Sequence, residues 1–432
     1  MNTEWTLEDF GKPVPHLITL TIAPVVAAVL FLIAQRRGWS PPLWVALAAG
    51  LVLRLAMLAG QRGGPYPWDF AHDFHDTAVN VLNMHDPVLN IREGGWHFLS
   101  LMAYVLAGQL WFAHATGLSW NTTGHLVPII ADLVLIVLVG RLSRGKAALR
   151  RFQWACNPLA IMVCALHGQL EPVALALGVG AYVVARGTAR NRGAYAGLLA
   201  GLAIASNSWP VLLLPGLLLA LRGTRRRVTA FACAVAVPAV FLLTQPLFVR
   251  PFTYVHLIDV VKTLLHTRPV VGDWGWTVLA TGGMQQEAPL VGRIGTLVLA
   301  AGIVAAVWWW RRADPMDLTI VILLAFLICT HRLGSQYLLW PLPFLLARPT
   351  RATPYLVLVS SAWAWIGYGP MTVLARHKGD WTAMHPWWAY SSLAVLPFLI
   401  WALPWRRRVR PGPDDAPDDS PDTPQEVKPI LV

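Results

Sequence analysis

The sequence predicts an all-α polytopic membrane protein, on three observations. Of its 432 residues, 56% are hydrophobic and only 13% are charged. The mean hydropathy of +0.52 lies on the membrane side of ordinary soluble composition. Apolar segments of about 17 to 22 residues, the length that crosses a bilayer as a helix, recur along almost the whole chain.

Taken in order, candidate spans run near 15–35, 42–60, 124–142, 153–167, 169–186, 194–207, 209–222, 228–249, 290–310, 316–331, 335–348, 354–372 and 387–405. Those at 15–35, 42–60, 124–142, 228–249 and 290–310 are long continuous apolar runs. Several others are too short for a straight crossing and come in pairs, such as 153–167 with 169–186 and 194–207 with 209–222, each divided by a polar or Pro-bearing break. Short paired spans put the number of crossings at about 11 to 13.

Orientation follows from the basic stretches. QRR (35–37), RLSRGKAALRR (141–151), ARGTARNRG (185–193), RGTRRR (222–227), RR (311–312), ARPTR (347–351) and RRRVR (406–410) all fall on one side, which is the cytosolic one. They alternate correctly only if HFLSLMAYVLAGQLWFAHAT (97–116) does not cross, so this segment is expected to be a re-entrant or interfacial helix after the first large outer loop. Outer loops then cover 61–123, 250–289 and 373–386, with tight outer turns at 167–169, near 208 and at 331–335. The unusual polar residues are expected to gather there. Residues 1–410 form one transmembrane domain, and the Pro- and Asp-rich stretch 411–432 reads as a disordered cytosolic tail. The first sixteen residues carry no basic region or small-residue cleavage site, so no cleavable signal peptide is expected.

The net charge of +12 is accounted for by these loops, which removes the case for a nucleic-acid partner and leaves the lipid bilayer as the surrounding partner. Cys156, Cys164, Cys233 and Cys329 lie in apolar runs without metal-ligand spacing, as small core residues do.

Three stretches carry the candidate chemistry. In PYPWDFAHDFHDTAVNVLNMHDPVLN (65–90), Asp69, Asp73 and Asp76 fall at helical spacings of four and three, with His72 between them. A carboxylate fixed at the water–lipid boundary suits general-base work, although charged loop residues are as often only solvated. In WACNPLAIMVCALHGQLEPVALALG (154–178), a helical hairpin tip brings His167, Gln169 and Glu171 beside Pro172. In CTHRLGSQYLLWPLPFLL (329–346), His331, Arg332, Ser335, Gln336 and Tyr337 sit at the outer end of two spans, where Arg and His suit a lipid-linked phosphate or simply snorkel to the interface.

These stretches, together with GLLAGLAIASNSWPVLLLPG (197–216), occur in an order that resembles the C-type (GT-C) membrane glycosyltransferases that use polyprenyl-phosphate sugars. The similarity is greatest to the mannosyltransferases of glycosylphosphatidylinositol assembly and of mycobacterial phosphatidylinositol mannosides, and it touches residues 45 to 345 in patches. It implies a GT-C fold and a catalytic aspartate at Asp69, with Asp73 as the rival. It places His331, Arg332 and Gln336 near the donor phosphate, with Tyr337 beside them in the same stretch, while His72, Asp76, His167, Gln169, Glu171, Trp96, His97 and Trp274 are the substrate-side candidates from their place at the hairpin tip and in the outer segments. Two departures stand out: Asn207, Ser208 and Trp209 precede Pro210 with no basic residue, and the loop has no strict Asp-x-Asp.

The implied reaction is inverting transfer of a mannosyl residue from a polyprenyl-phosphate donor to a hydroxyl of a glycolipid or glycan acceptor, without a cofactor or obligatory metal. Trp68, Trp96, Trp120, Trp274, Trp276 and Trp381 lie in outer segments and offer faces for sugar stacking or for an interfacial belt. The loop 250–289, with His256, His266, Arg268 and Asp273, would line the acceptor side. The Ala-, Arg- and Trp-rich composition points to the plasma membrane of a high-GC bacterium, with an extracytoplasmic active site. Two other readings stand beside this one. A transporter or lipid flippase requires ionisable residues deep in the membrane, for which Arg54 is the one candidate. A lipid-linked glycan ligase requires a lipid-diphosphate donor.

Overall fold

The computed structural model describes residues 14–61, 67, 69–88, 96, 98–248, 256–265, 270–371 and 378–407. The expected tail 411–432, together with Trp68, His97, His266 and Arg268, lies outside the described residues.

The chain folds as an all-α polytopic membrane protein. Helices α1 (Val14–Arg37) and α2 (Leu43–Gly60) form the first antiparallel pair. A π-helical turn, Asp69–Phe74, runs into α3 (His75–Leu82), followed by α4 (Ser100–Thr116) and the long α5 (Trp120–Leu142). Next come α6 (Ala147–Ala155), α7 (Pro158–Ala165), α8 (Glu171–Arg186) and α9 (Arg192–Ser206). After a 3₁₀ turn at Trp209–Leu213 stand α10 (Leu214–Ala220), α11 (Thr224–Phe248) and α12 (Leu257–Leu265). A minimal antiparallel pair, β1 (Val270–Val271) and β2 (Gln286–Glu287), brackets α13 (Thr277–Thr281). The chain closes with α14 (Pro289–Trp309), α15 (Pro315–Cys329), α16 (Leu342–Ala347), α17 (Thr353–Ile366), α18 (Lys378–Ser391) and α19 (Leu396–Ala402).

Six stretches among the described residues are long and apolar enough to cross a membrane as single helices: α1, α2, α5, α11, α14 and the run Thr382–Arg407. Other expected spans are built from shorter pieces. The span predicted at 153–167 is divided between α6 and α7, because the Asn157 side chain caps α7 by accepting from the Leu159 amide at 3.1 Å and Pro158 opens that helix. The span predicted at 335–348 begins as a 3₁₀ turn, Ser335–Leu339, and becomes α16 only after Pro341. The segment read as re-entrant forms α4, which packs against α3 and α5.

Helix packing follows residue size. Gly193, Gly197 and Gly201, spaced by four residues, put a stripe of small residues on α9, and α11 crosses so closely that a Cβ at Gly193 would stand 2.8 Å from the Arg226 carbonyl oxygen. Helix α15 is buried nearly all round from Met316 to Leu327 and serves as the central pillar.

The two ends of the bundle differ sharply in charge. At one end Asp314 meets Arg144 at 2.8 Å and Arg348 at 3.1 Å, while Asp317 meets Arg348 at 2.8 Å and Arg407 at 3.5 Å. This gathers the basic loops after α5, α14, α16 and α19. The hairpin tip at His167 and the loop after Cys329 stand at the opposite ends of α8 and α15.

One expectation is overturned here: polar residues are not confined to loops. Arg54 on α2 and Asp132 on α5 form an ion pair with both side chains fully buried. Arg54 also donates to the carbonyls of Gly50 at 2.8 Å and Ala155 at 3.0 Å, and Trp154 Nε1 donates to Asp132 at 3.1 Å. The pair persists in an apolar interior because nearly every donor and acceptor on it is used. The four cysteines are free thiols, with Cys156 and Cys164 buried.

Candidate functional site

The site is built from four separated segments. The Asn-Pro break starts α7, which ends at Ala165. The chain then turns through His167, Gly168 and Gln169, with the His167 amide bonded to the Met162 carbonyl at 2.9 Å and the Gln169 amide to Val163 at 3.0 Å. Gly168 has φ of +69°, and a Cβ there would strike the Phe70 ring and stand 2.9 Å from His125 Nε2. Glycine is required on both counts. Gln61, at the end of α2, anchors the tip by donating to the Leu166 carbonyl at 2.8 Å.

Opposite this tip lies the π-helical turn. Phe70 and Phe74 are buried, with Phe70 stacked on Trp120 at a centroid distance of 5.6 Å and tilted on His125 at 4.1 Å. Trp120 Nε1 donates to the Phe70 carbonyl at 3.3 Å. These anchors aim Asp69 inward. Its Oδ1 lies 2.7 Å from His167 Nε2, and its Oδ2 accepts from Gln169 Nε2. His167 Nδ1 lies 2.9 Å from the Tyr368 hydroxyl, and that phenol is also reached by the Ser335 hydroxyl. Tyr368 comes from a second π-helical turn, Gly367–Met371, that follows α17.

The Asp69 side chain keeps 34% exposure, whereas His167 keeps 8%. Burial raises the Asp69 carboxyl, but the His167 imidazole and the donors around it outweigh that and hold it below the usual carboxylate range. Among the described residues Asp73 has no such donors. Burial first, and then the nearby Asp69 charge, push its carboxyl up to about 6. Asp76 is exposed and meets His75 at 3.5 Å, and His72 is also exposed. Of the three aspartates that the helical spacing put on one face, Asp69 reaches the hairpin tip, Asp73 stays half-buried beside it and Asp76 is exposed.

Glu171 is buried, and its Oε2 has no hydrogen-bond partner among the described residues. It lies within electrostatic reach of His167, Asp69 and Tyr337, and Tyr337 is in turn near Asp69 and Arg332. Tyr337 stacks on Trp340 at 4.4 Å, and Trp340 stacks on Trp209 at 4.3 Å. The structure therefore brings together Asp69, His167, Gln169, Glu171, Tyr337 and, at the exposed rim, Arg332. The His331 ring packs on Gly295 of α14 and the Gln336 amide lies over Gly334; among the described residues no hydrogen bond ties either one to Asp69.

Trp96 and Trp274, expected as sugar platforms, are instead structural. Trp96 is buried against Phe74 and Phe98, with Nε1 donating to the Leu99 carbonyl at 3.3 Å. Trp274 is fully buried, donates to the Leu327 carbonyl at 2.7 Å and meets Trp363 edge-on. Each indole has its N–H satisfied inside the protein, so neither face is open to a ligand. Asp273 pairs with His385 at 2.9 Å, which braces the β1–β2 loop on α18.

The reading from sequence missed Tyr368, His125 and Phe70. Tyr368 carried a signal in the string Gly-Tyr-Gly-Pro at the end of an apolar span, where a lone phenol sits beside two helix-disrupting residues. Among the described residues no three His, Cys, Asp or Glu side chains converge as a metal-binding group.

Models of known protein families give no match to this chain, and a search of curated proteins gives none either. The chemistry has to be read from the site. It presents one ionised carboxylate, held by an imidazole and an amide from a rigid tip, with a buried acid, two phenols and an arginine around it. Such a carboxylate can accept a proton from a bound hydroxyl or balance a positive charge developing beside it.

Proposed function

We propose that the chain is an inverting glycosyltransferase that moves a mannosyl residue from a polyprenyl-phosphate donor to a hydroxyl of a glycolipid or glycan, at the extracytoplasmic face of a bacterial plasma membrane. The observation that carries the proposal is the convergence of Asp69, fixed by His167 and Gln169, with the loop bearing Arg332, Ser335 and Tyr337. That convergence lies at the end of the bundle opposite the arginine-rich one, as the resemblance to the GT-C enzymes requires.

In this reading the acceptor hydroxyl attacks the anomeric carbon from the face opposite the phosphate. The new C–O bond forms as the bond to the phosphate oxygen breaks, and the acceptor proton passes to Asp69. A strongly acidic carboxyl is adequate as the base, because the hydroxyl becomes acidic only as its oxygen bonds to carbon. Arg332 balances the charge of the departing polyprenyl phosphate, and His167, itself held by Tyr368, keeps Asp69 in one orientation.

A transporter is the second reading, favoured by the buried Arg54–Asp132 pair. That pair is closed by Gly50, Ala155 and Trp154, which suits a fixed brace better than a moving relay. Purified protein incubated with radiolabelled polyprenyl-phosphate mannose and lipid extract separates the readings. Transfer of label that Asp69→Asn abolishes supports glycosyl transfer. A protein that moves labelled lipid between leaflets without forming product supports the transporter.

A further inference from the structure

At the end of the bundle opposite the candidate site, two adjoining clefts open between the loop joining α8 to α9 and the loop joining α10 to α11. One, of about 660 Å³, is lined by Arg190, Arg222, Arg225 and Arg226. The other, of about 330 Å³, is lined by Arg144, Arg186, Arg192 and again Arg222. The one acid among the described lining residues is Asp314, which is already engaged by Arg144 and Arg348. Topology alone asks for basic residues on this side, but it does not ask them to face a common hollow.

Two further features give the hollow a direction. The Nε of Arg192 is buried and, among the described residues, without a hydrogen-bond partner, so a cation on the wall has unused donor capacity. Immediately beyond the arginines the same helices present apolar side chains outward: Val228 and Phe231 on α11 are 61% and 51% exposed, and Tyr195 on α9 is 52% exposed. The cleft thus lies where a lipid-facing surface gives way to cationic loops, which is headgroup depth.

We propose that this cleft seats the phosphate-bearing headgroup of an anionic lipid from the cytosolic leaflet, with Arg222 bridging the two hollows. Guanidinium forks match phosphate oxygens in pairs, and acyl chains leaving the cleft would run down the apolar faces of α9 and α11. The proposal does not rest on glycosyl transfer.

The test uses full-length protein in nanodiscs of phosphatidylcholine, alone or with cardiolipin, and a third arm with inorganic phosphate. Retained cardiolipin is counted by native mass spectrometry, and thermal unfolding is followed in each arm. Arg222→Ala/Arg225→Ala/Arg226→Ala is compared with Arg36→Ala/Arg37→Ala/Arg406→Ala, an equal loss of charge elsewhere on the same side. The expected result is cardiolipin affinity about tenfold lower in the cleft variant, near wild type in the control, and partly kept in the corresponding triple lysine variant, which retains charge but not the fork. Equal losses in the cleft and control variants would overturn the proposal in favour of diffuse attraction. Stabilisation by inorganic phosphate matching that by cardiolipin would overturn it in favour of a soluble anion.

Discussion

His167 Nδ1 stands 2.9 Å from the hydroxyl of Tyr368, 201 positions further along the chain, while its Nε2 stands 2.7 Å from Asp69. A proton on Nε2 donates to the carboxylate, and Nδ1 shares a hydrogen bond with the phenol. Tyr368→Phe removes that second anchor without emptying the space. We expect kcat to fall about tenfold with KM little changed, as for a residue acting through another group. A fall in KM alone, or no change in either constant, would assign Tyr368 to packing. His167→Ala should cost more than Tyr368→Phe, because Asp69 then loses its principal donor.

The two aspartates of the π turn separate by pH. Asp69 stays ionised through the neutral range, whereas Asp73, at about 6, gains its charge between mildly acid and neutral pH. Ionised Asp73 makes its neighbour more basic, so wild-type activity should rise through about pH 6. Asp73→Asn should flatten that limb, and Asp69→Asn should reduce turnover by about a thousandfold at every pH. A rate profile of the three proteins decides between them.

Stability carries the same signature with a definite sign. The folded-state value of Asp73 lies above its unfolded value near about 4, so folding favours the protonated form. Its contribution is whole below about pH 4 and is lost as pH climbs through about 6. Melting temperatures of wild type should therefore decline across that window by more than those of Asp73→Asn.

The Arg54–Asp132 pair should behave as a brace. Arg54→Met or Asp132→Leu alone leaves a charge stranded in an apolar interior and should cost about 3 to 5 kcal/mol. The double substitution should cost less than either single change. Thermal unfolding in detergent, run as a double-mutant cycle, measures this directly.

At the α9–α11 crossing, Gly197 faces the Ala230 backbone with no room for a Cβ. Gly197→Ala should destabilise by about 1 to 3 kcal/mol through forced separation of the helices. Gly108, which has open space around it, is the matching control.

Composition and hydropathy were enough for the membrane class and for the long helices, because lipid imposes one continuous apolar length on each. Helix breaks inside apolar runs were harder to foresee. The division of 153–167 depends on the Asn157 cap and Pro158, both visible in the sequence, yet an unbroken hydropathy trace hides them. Asp69, His167 and Gln169 were legible as polar residues at helix ends, but nothing local says that they touch each other, since 98 positions separate Asp69 from His167. Trp96 and Trp274 misled for a related reason: residue type and loop position are the same for a ligand platform and a core indole, and only the path of the chain around each decides. Asp132 was passed over because a single acid in an apolar run gains its meaning from Arg54, which lies on another helix.

The helices that connect the arginine-rich end to the candidate site are short. α8 has 16 residues and α15 has 15, a rise of about 23 Å against a hydrocarbon thickness of about 30 Å. The lipid-facing helices around them are longer, α11 with 25 residues and α14 with 21, so the end reached by α8 and α15 is recessed within the protein by about 7 Å relative to the bilayer surface. A tethered phosphate floating at ordinary height would have to sink to meet the aspartate, so turnover should respond to acyl-chain length in the host membrane, rising as the bilayer is made thinner.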